Sequence, residues 1–283
     1  MIRDQAKTAS TLIEVFNEFD QIRRSVSSYL EKTDEDWLFR GVSDEASRLT
    51  PRLLRLEGGG DEGDEYYDLE ECQIRSDVLN RGASFLPDRV IDDWSLMYIM
   101  QHHGFPTRLL DWTGSLSNAA YFATRDPATS GKDGAIWILE SQRLNQSVFG
   151  SAASFFWRED PDIQRFGFNR TPRSSEDMEW LRSRPAVTVF PGHVTNRIIA
   201  QMGRFTVHNF DADGLEARAE EVTSEAGDMR PFLHMIRIPA ASKELIRRQA
   251  AMFGGAEEAN LFPDLDGLAR GLKPMIHWLR KYC

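Results

Sequence analysis

Cysteine is scarce in this chain of 283 residues: only Cys72 and Cys283 are present, far apart in sequence. Two distant cysteines argue against a disulfide framework, and their spacing fits no cysteine-based zinc site. The sequence contains no run of about 18 apolar residues, so it predicts no transmembrane helix. The first ten residues also lack the apolar region of a signal peptide. We therefore expect a cytoplasmic protein with no membrane contact.

Basic residues are also in short supply. The chain has 34 Lys and Arg against 44 Asp and Glu, which gives a formal net charge of -10 and a sequence pI of about 5.2. Nonspecific nucleic-acid binders neutralise phosphates with clustered Lys and Arg, so this balance argues against that class. A local basic groove for a specific nucleic acid is still compatible with an acidic surface. The hydrophobic content of 41% is ample for a folded core.

Helical and strand patterns are mixed along the chain, and the strands concentrate in its later part. Apolar periodicity, small residues and capping signals predict helices over residues 10–30, 69–86, 93–102, 115–124, 242–254 and 262–273. Short β-branched and aromatic runs predict strands at 37–41, 134–139, 186–190, 204–210 and 232–238. The acidic, glycine-rich segment 57–71 is typical of a mobile, solvated loop that leads into a helix. This order predicts an α+β fold: a single domain with N-terminal helices, a mainly antiparallel sheet and C-terminal helices.

The segment QHHGFPTRLLDWT at 101–113 concentrates the residues that carry chemistry. His102 or His103 with Asp111 would form an acid–base pair, because histidine titrates nearest neutral pH and a carboxylate can fix its tautomer. The structural alternative is that the histidines end a helix and that Arg108 pairs with Asp111 inside a turn. The residues alone leave both readings open.

A second candidate cluster is Phe39-Arg40-Gly41, at the end of a predicted strand. A desolvated guanidinium needs a carboxylate or a phosphate opposite its donors. Arg40 is therefore either the partner of an acid such as Asp111 or an anion-binding residue. Gly41 would let a ligand phosphate or another backbone approach closely.

A third candidate is Gln201, which precedes the predicted strand that carries Phe205. Its amide would either project into a cleft or bond the edge of a neighbouring strand. The residues do not decide between these two roles.

These clusters occur together with other stretches in a fixed order. The chain resembles the FRG-domain family, which is named for the tripeptide seen here at 39–41. The resemblance continues through 49–55, 101–113, 119–123, 133–139, 200–208 and 261–269, and so covers nearly all of the chain after residue 35. It implies one FRG-type domain over 1–283, with a helical lead-in at 1–34, a core at 35–270 and a tail at 271–283. The family occurs in bacteria and their phages, often near defence-type genes, which implies a toxin or defence setting.

The order of these parts is also similar to that of the arginine–serine–glutamate class of ADP-ribosyltransferases. This resemblance implies an NAD-using enzyme in which Arg40 holds phosphates or ribose and Ser115 or Ser117 supports the nicotinamide pocket. The class places a glutamate on a late strand, where this chain offers Gln201. A neutral amide cannot stabilise a cation as a carboxylate does, so Asp111 is the candidate for the missing charge.

The resemblance therefore assigns roles to ten residues. Those expected to take part in catalysis are Arg40, His103, Asp111 and Gln201. Those expected to bind NAD are Phe39, Gly41, His102, Thr107, Arg108 and Phe205. We expect no metal site, since the carboxylates and histidines lack the spacing of known ligand sets. The expected partners are a nucleotide and a protein or nucleic-acid acceptor.

Two other classes of function fit the same residues. One is a hydrolase or nuclease in which His102 or His103 activates water and Asp111 orients it. The other is a non-catalytic nucleotide-binding or sensor module whose acidic loop contacts a basic partner.

Overall fold

One seven-stranded sheet organises the part of the chain that the computed structural model describes, namely residues 2–26, 37–56, 59–86, 92–150, 160–167, 173–191, 195–225 and 231–272. Its strands are β1 (Lys7–Thr8), β2 (Trp37–Val42), β3 (Leu109–Thr113), β4 (Gly134–Glu140), β5 (Ala186–Val189), β6 (Gly203–His208) and β7 (Leu233–Ile238). Their order across the sheet is β1-β7-β4-β2-β3-β6-β5. Only the short β1–β7 pair is parallel among these neighbours. The predicted α+β fold with a mainly antiparallel sheet is confirmed.

Helices surround this sheet, and six of the twelve helices in the described residues lie where the sequence predicts. Their bounds are α1 Leu12–Val26, α2 Gly59–Arg81, α3 Asp93–His102, α4 Leu116–Thr124, α5 Ser141–Phe149, α6 Pro161–Gln164, α7 Ser175–Arg182, α8 Asn196–Ala200, α9 Gly214–Glu225, α10 Lys243–Gly254, α11 Glu258–Leu261 and α12, residues 265–272. The C-terminal ends of the predictions at 10–30 and 262–273 lie outside the described residues. None of the described helices is both long and apolar enough to span a membrane.

The prediction of a solvated loop over 57–71 is wrong for most of that segment. Helix α2 already begins at Gly59, with a kink at Gly63, where φ is 69°. In the later part of α2, Asp68 and Glu71 are buried and pair with arginines from elsewhere in the chain, which anchors the helix to the rest of the fold. A pattern of acidic residues alone does not reveal those partners. Residues 57 and 58 lie outside the described residues.

Two apolar clusters lie side by side on the same face of the sheet. Side chains alternate along strands, and residues paired across strands point the same way. Phe39 on β2, Thr113 and Asp111 on β3 and Phe205 on β6 therefore share one face. One cluster packs Phe39 against α4 and α10, and the other packs Phe205 against α3. Asp111 is thus a charged residue between two cores.

The sheet is weakly joined between β2 and β3. Strand β2 pairs with β4 from Trp37 to Val42, but it pairs with β3 only at Phe39, opposite Thr113. Beyond that pair the two strands separate. Arg40, the residue after Phe39, and Asp111, two residues before Thr113, lie on opposite sides of this opening. The candidate site lies there.

Gly41 allows α4 to pack on β2. A Cβ at this position would lie 1.9 Å from the carbonyl oxygen of Ala119 and 2.5 Å from the amide nitrogen of Ala123. Of the two roles that the sequence allows for Gly41, this geometry supports the close approach of another backbone. The small residues Ala119 and Ala123 thus let α4 lie close to the backbone of β2.

Candidate functional site

A cavity of about 250 Å³ opens at the junction of β2 and β3. We call it the inner pocket. Its walls come from β2, α3, β3, α4, α8 and β6, and its ring side chains include Phe39, Tyr98, Phe122 and Phe205. Polar groups converge on the same space from Arg40, Gln101, His102, Asp111, Arg197 and Gln201. A small apolar pocket with a few convergent polar groups is the usual form of a ligand site.

Arg40 and Asp111 share this pocket without closing it. Arg40 Nη1 donates a hydrogen bond to the backbone oxygen of Asp111 at 2.7 Å and lies 4.0 Å from its carboxylate Oδ2. The side chains are 21% and 60% exposed, respectively, and Arg40 Nε has no hydrogen-bond partner among the described residues. Burial lowers the pKa of Arg40 and Asp111 opposes that shift. Arginine remains charged under such conditions, so the pocket holds an available cation beside an available carboxylate.

The carboxylate of Asp111 is held by a short chain of hydrogen bonds. Gln101 Nε2 donates to Asp111 Oδ2 at 2.8 Å, and Gln101 Oε1 accepts from the Thr107 hydroxyl at 2.5 Å. Thr107 Oγ1 in turn accepts from the amide of Leu109 at 3.1 Å. Gln101 is not among the site residues that the sequence predicts. Its place at the start of the 101–113 motif was the available signal, but the side on which its amide lies depends on where α3 ends.

The two histidines of the motif have different surroundings. His102 lines the inner pocket, whereas His103 caps the end of α3, is exposed and does not line the pocket. The prediction placed acid–base chemistry at His103, but the structure brings His102 to Arg40 and Asp111. Burial and the nearby Arg197 lower the pKa of His102. This imidazole is therefore neutral at neutral pH and able to accept a proton.

Arg108 does not reach the pocket. It is fully buried, and its Nε donates to Glu71 Oε1 at 2.7 Å while its other nitrogens donate to the backbone oxygens of His208 and Phe166. The expected ligand-binding role of Arg108 has no support in this position, and the alternative Arg108–Asp111 pair is wrong. The reason is that 109–113 is a strand and not a turn, so the two side chains have separate surroundings.

Thr107, another predicted ligand-binding residue, is likewise fully buried and does not line the pocket. It acts on the pocket only through its hydrogen bond to Gln101.

Gln201 lines the inner pocket but does not lie on a strand. It follows α8, at the turn before β6. Its Nε2 donates to the backbone oxygen of Leu261 at 3.0 Å, and its own backbone oxygen accepts from the Thr113 hydroxyl at 2.6 Å. Phe205, on β6, stacks on Tyr98 with ring centroids 5.4 Å apart and forms part of the wall. The side chain of Gln201 therefore tethers α8 to the end of α11 at the edge of the pocket.

The serines that the resemblance implies lie elsewhere. Ser115 is the N-cap of α4 and accepts a hydrogen bond from the amide of Asn118. Ser117 is buried, and a Cβ at Gly254 would lie 2.4 Å from its own Cβ. Neither serine lines the inner pocket.

A larger groove of about 1330 Å³ adjoins the inner pocket. We call it the outer groove. Arg40, Gly41 and Phe122 line both spaces, so the groove and the pocket meet at the β2–β3 opening. Arginines dominate its charged lining: Arg40, Arg48, Arg55, Arg125, Arg247, Arg248 and Arg270. A basic groove is thus present on an acidic protein.

A comparison with protein-family models matches residues 35–132 to the FRG domain. The chain carries an FRG domain. The match includes the FRG tripeptide, α3, β3 and α4, and so contains Arg40, Gln101, His102 and Asp111. Neither the curated proteins nor the solved structures contain a match to this chain. The extent of the core to residue 270 and the division into lead-in, core and tail stay predictions.

The FRG domain supplies the half of the inner pocket that holds the carboxylate, whereas α8 and β6 beyond residue 132 supply Arg197, Gln201 and Phe205. Among the described residues, no group of three or more His, Cys, Asp or Glu side chains is arranged to hold a metal ion.

Proposed function

We propose that this FRG-domain protein is an NAD-using enzyme whose chemistry is that of an ADP-ribosyltransferase. The observation that carries the proposal is the arrangement of Arg40 and Asp111, which line one pocket at a separation of 4.0 Å with both charges accessible. Substrate binding needs an available cation for phosphate, and glycosidic cleavage needs an available anion for the ribose. A closed ion pair would supply neither.

Binding would use the free donors of Arg40 and the rings around it. Guanidinium groups hold phosphate oxygens through short, charge-assisted hydrogen bonds. Phe39 and Phe122 line the pocket together with Arg40, and the stacked Tyr98–Phe205 pair is also part of its lining. Flat aromatic walls of this kind suit the nicotinamide ring, with the pyrophosphate at the opening towards the outer groove.

Asp111 would stabilise the reacting sugar. When the bond between the nicotinamide nitrogen and ribose C1′ breaks, its electron pair leaves with the nitrogen and positive charge develops on the ribose. A fixed carboxylate stabilises such charge best when it needs no reorganisation. The hydrogen bond from Gln101 provides that fixation for Asp111.

His102 would serve the acceptor. The acceptor's lone pair forms the new bond to C1′ and the acceptor loses a proton, which a neutral imidazole can take. The lowered pKa of His102 keeps its imidazole neutral. The toxin or defence setting in bacteria or phages, which the family resemblance implies, belongs to this proposal as its biological context.

The test is nicotinamide release and thermal stabilisation by NAD. We expect wild-type protein to be stabilised by NAD, by about 2.7 kcal/mol at a hundredfold excess over Kd, and to release nicotinamide. Asp111→Asn keeps an acceptor for Gln101 and removes the charge, so we expect binding to persist and release to fall at least a hundredfold. Arg40→Gln should lose the stabilisation by NAD.

Asp20→Asn and Arg24→Gln are matched controls, because these residues form an exposed pair on α1. Both should behave as wild type. Neither stabilisation nor nicotinamide release in wild-type protein, with labelled NAD and cell lysate as a source of acceptors, would overturn the proposal.

A hydrolase is the second candidate, because His102 and Asp111 line the same pocket and His102 is neutral. Such an enzyme would cleave a phosphoester with water as the nucleophile. Release of phosphate or shortened oligonucleotide without NAD, abolished by His102→Gln, would select it over the first proposal.

A further inference from the structure

We propose that the outer groove binds the sugar–phosphate backbone of a single-stranded nucleic acid, with Arg55 and Arg125 as phosphate ligands. The proposal rests on the proposed function only in making that nucleic acid the acceptor; binding itself is independent of NAD.

Most arginines of the outer groove already have carboxylate partners. The ion pairs are Arg48–Asp213, Arg247–Glu244, Arg248–Glu244 and Arg270–Glu258. Arg55 and Arg125, in contrast, form no ion pair and no side-chain hydrogen bond within the described part of the chain, although both line the groove. They are therefore the cations whose donors are open to a ligand.

Arg125 is held in place by rings. Its guanidinium carbon lies 4.8 Å from the ring centroid of Phe262, 5.6 Å from that of Phe122 and 5.9 Å from that of Tyr121. Such cation–π contacts hold a guanidinium without occupying its N–H donors in hydrogen bonds. A fixed cation with free donors is suited to phosphate oxygens.

Arg55 stands in a group of like charges. Burial and Arg52 lower the pKa of Arg55, and Arg55 in turn lowers the pKa of Arg40. Asp111 is the carboxylate that opposes these effects on both Arg40 and Arg55. Two arginines facing one carboxylate leave an excess of positive charge at the opening of the inner pocket, which an anionic ligand would neutralise.

Five carboxylates line the groove beside its seven arginines, so an excess of positive charge remains. Glu244 and Glu258 accept from the arginines named above, and Asp44 pairs with Lys132 at 2.6 Å. Asp126 accepts from the amide of Ala128, and Glu257 accepts from Asn260.

Phe122 favours a nucleic acid over an acidic peptide as the occupant. Its half-buried ring lies between the outer groove and the inner pocket. Single strands bind by laying phosphates along basic grooves and stacking bases on aromatic rings or guanidinium planes. A base on Phe122 would bring its nucleotide to the opening where Asp111 and Arg40 lie.

The experiment is fluorescence anisotropy with a short, dye-labelled single-stranded oligonucleotide, as DNA and as RNA, in the absence of NAD. We expect the Arg55→Gln/Arg125→Gln double variant to bind at least tenfold more weakly than wild type. The slope of log K against log salt should become shallower by about 0.7 for each phosphate that the variant no longer neutralises. Arg24→Gln, on α1 and outside the groove lining, should change affinity less than twofold.

Three results would overturn the inference: no binding of either oligonucleotide by wild type, unchanged binding by the double variant, or equally tight binding of poly-glutamate, which would indicate an acidic protein partner. Failure of NAD to bind would leave these results untouched, so the two proposals fail separately.

Discussion

Gln101 on α3 donates a hydrogen bond to the carboxylate of Asp111 on β3 at 2.8 Å, and Arg40 on β2 lies 4.0 Å from the same carboxylate. The Gln101 amide is therefore the hydrogen-bond donor to the Asp111 carboxylate, whereas Arg40 hydrogen-bonds the backbone oxygen of Asp111. A neutral donor fixes the carboxylate and leaves its charge available. The cation and the anion of the site can then act on different parts of one ligand.

Thr107 should hold Gln101 in position, and through Gln101 the carboxylate of Asp111. Thr107→Val removes the donor to Gln101 Oε1 and the acceptor for the Leu109 amide, leaving buried polar groups unpaired at a cost of about 1–3 kcal/mol. We also expect slower nicotinamide release than in wild type. Thr107→Ser keeps the hydroxyl and should restore the rate; a rate as low as that of the valine variant would exclude this positioning role.

Glu71 should be critical for folding. It pairs with Arg108 at 2.7 Å and with Arg173 at 3.2 Å, and all three residues are buried. Removing one partner of a buried ion pair leaves the opposite charge buried and unpaired. Glu71→Gln should therefore lower the free energy of unfolding by about 3–5 kcal/mol. Urea denaturation measures this free energy, and Glu65→Gln, at an exposed position on the same helix, is the control. Equal stability of the two variants would contradict the structure.

Gly41→Ala tests the packing of α4 on β2. The new Cβ would collide with the backbone of Ala119, so we expect a loss of about 1–3 kcal/mol or a protein that does not fold. Gly131→Ala is the control, since a Cβ there meets no atom within 4 Å; its stability should stay within about 0.5 kcal/mol of wild type. The melting temperatures of both variants test this prediction. A Gly41→Ala variant that melts at the same temperature as wild type would contradict this packing.

His208 should make stability depend on pH. Burial, with Arg108 and Arg40 nearby, lowers the pKa of His208 to about 3. The unfolded chain, with a histidine pKa of about 6.5, therefore takes up a proton at a higher pH than the folded protein does. Above pH 6.5 His208 does not reduce the free energy of unfolding, but as the pH falls from 6.5 towards 3 that free energy decreases by about 1.4 kcal/mol per pH unit. Urea midpoints from pH 7.5 to 5 should fall less steeply for His208→Gln than for wild type. Parallel profiles would contradict this assignment.

Local patterns were sufficient to predict most of the fold. Strands at 37–41, 134–139, 186–190, 204–210 and 232–238 all match strands of the sheet, because short apolar runs between turn signals are a local property. The three helices between residues 141 and 182 were not predicted, since the periodicity of that region is weak.

The site was predicted in part, and the errors share a cause. Arg40, Asp111, His102 and Gln201 do line one pocket. Arg108 was misplaced because its true partner, Glu71, lies 37 positions away in the sequence, on α2. Long-range pairing of charges leaves no trace in local spacing.

Because only one residue pair joins β2 to β3, the sheet consists of two weakly connected parts, β1-β7-β4-β2 and β3-β6-β5. Arg40 lies in the first part and Asp111 in the second, so a molecule that contacts both residues links the two parts of the sheet. Amide hydrogen exchange along Leu109–Thr113 would then slow when the pocket is occupied, even though the strand gains no hydrogen bond of its own.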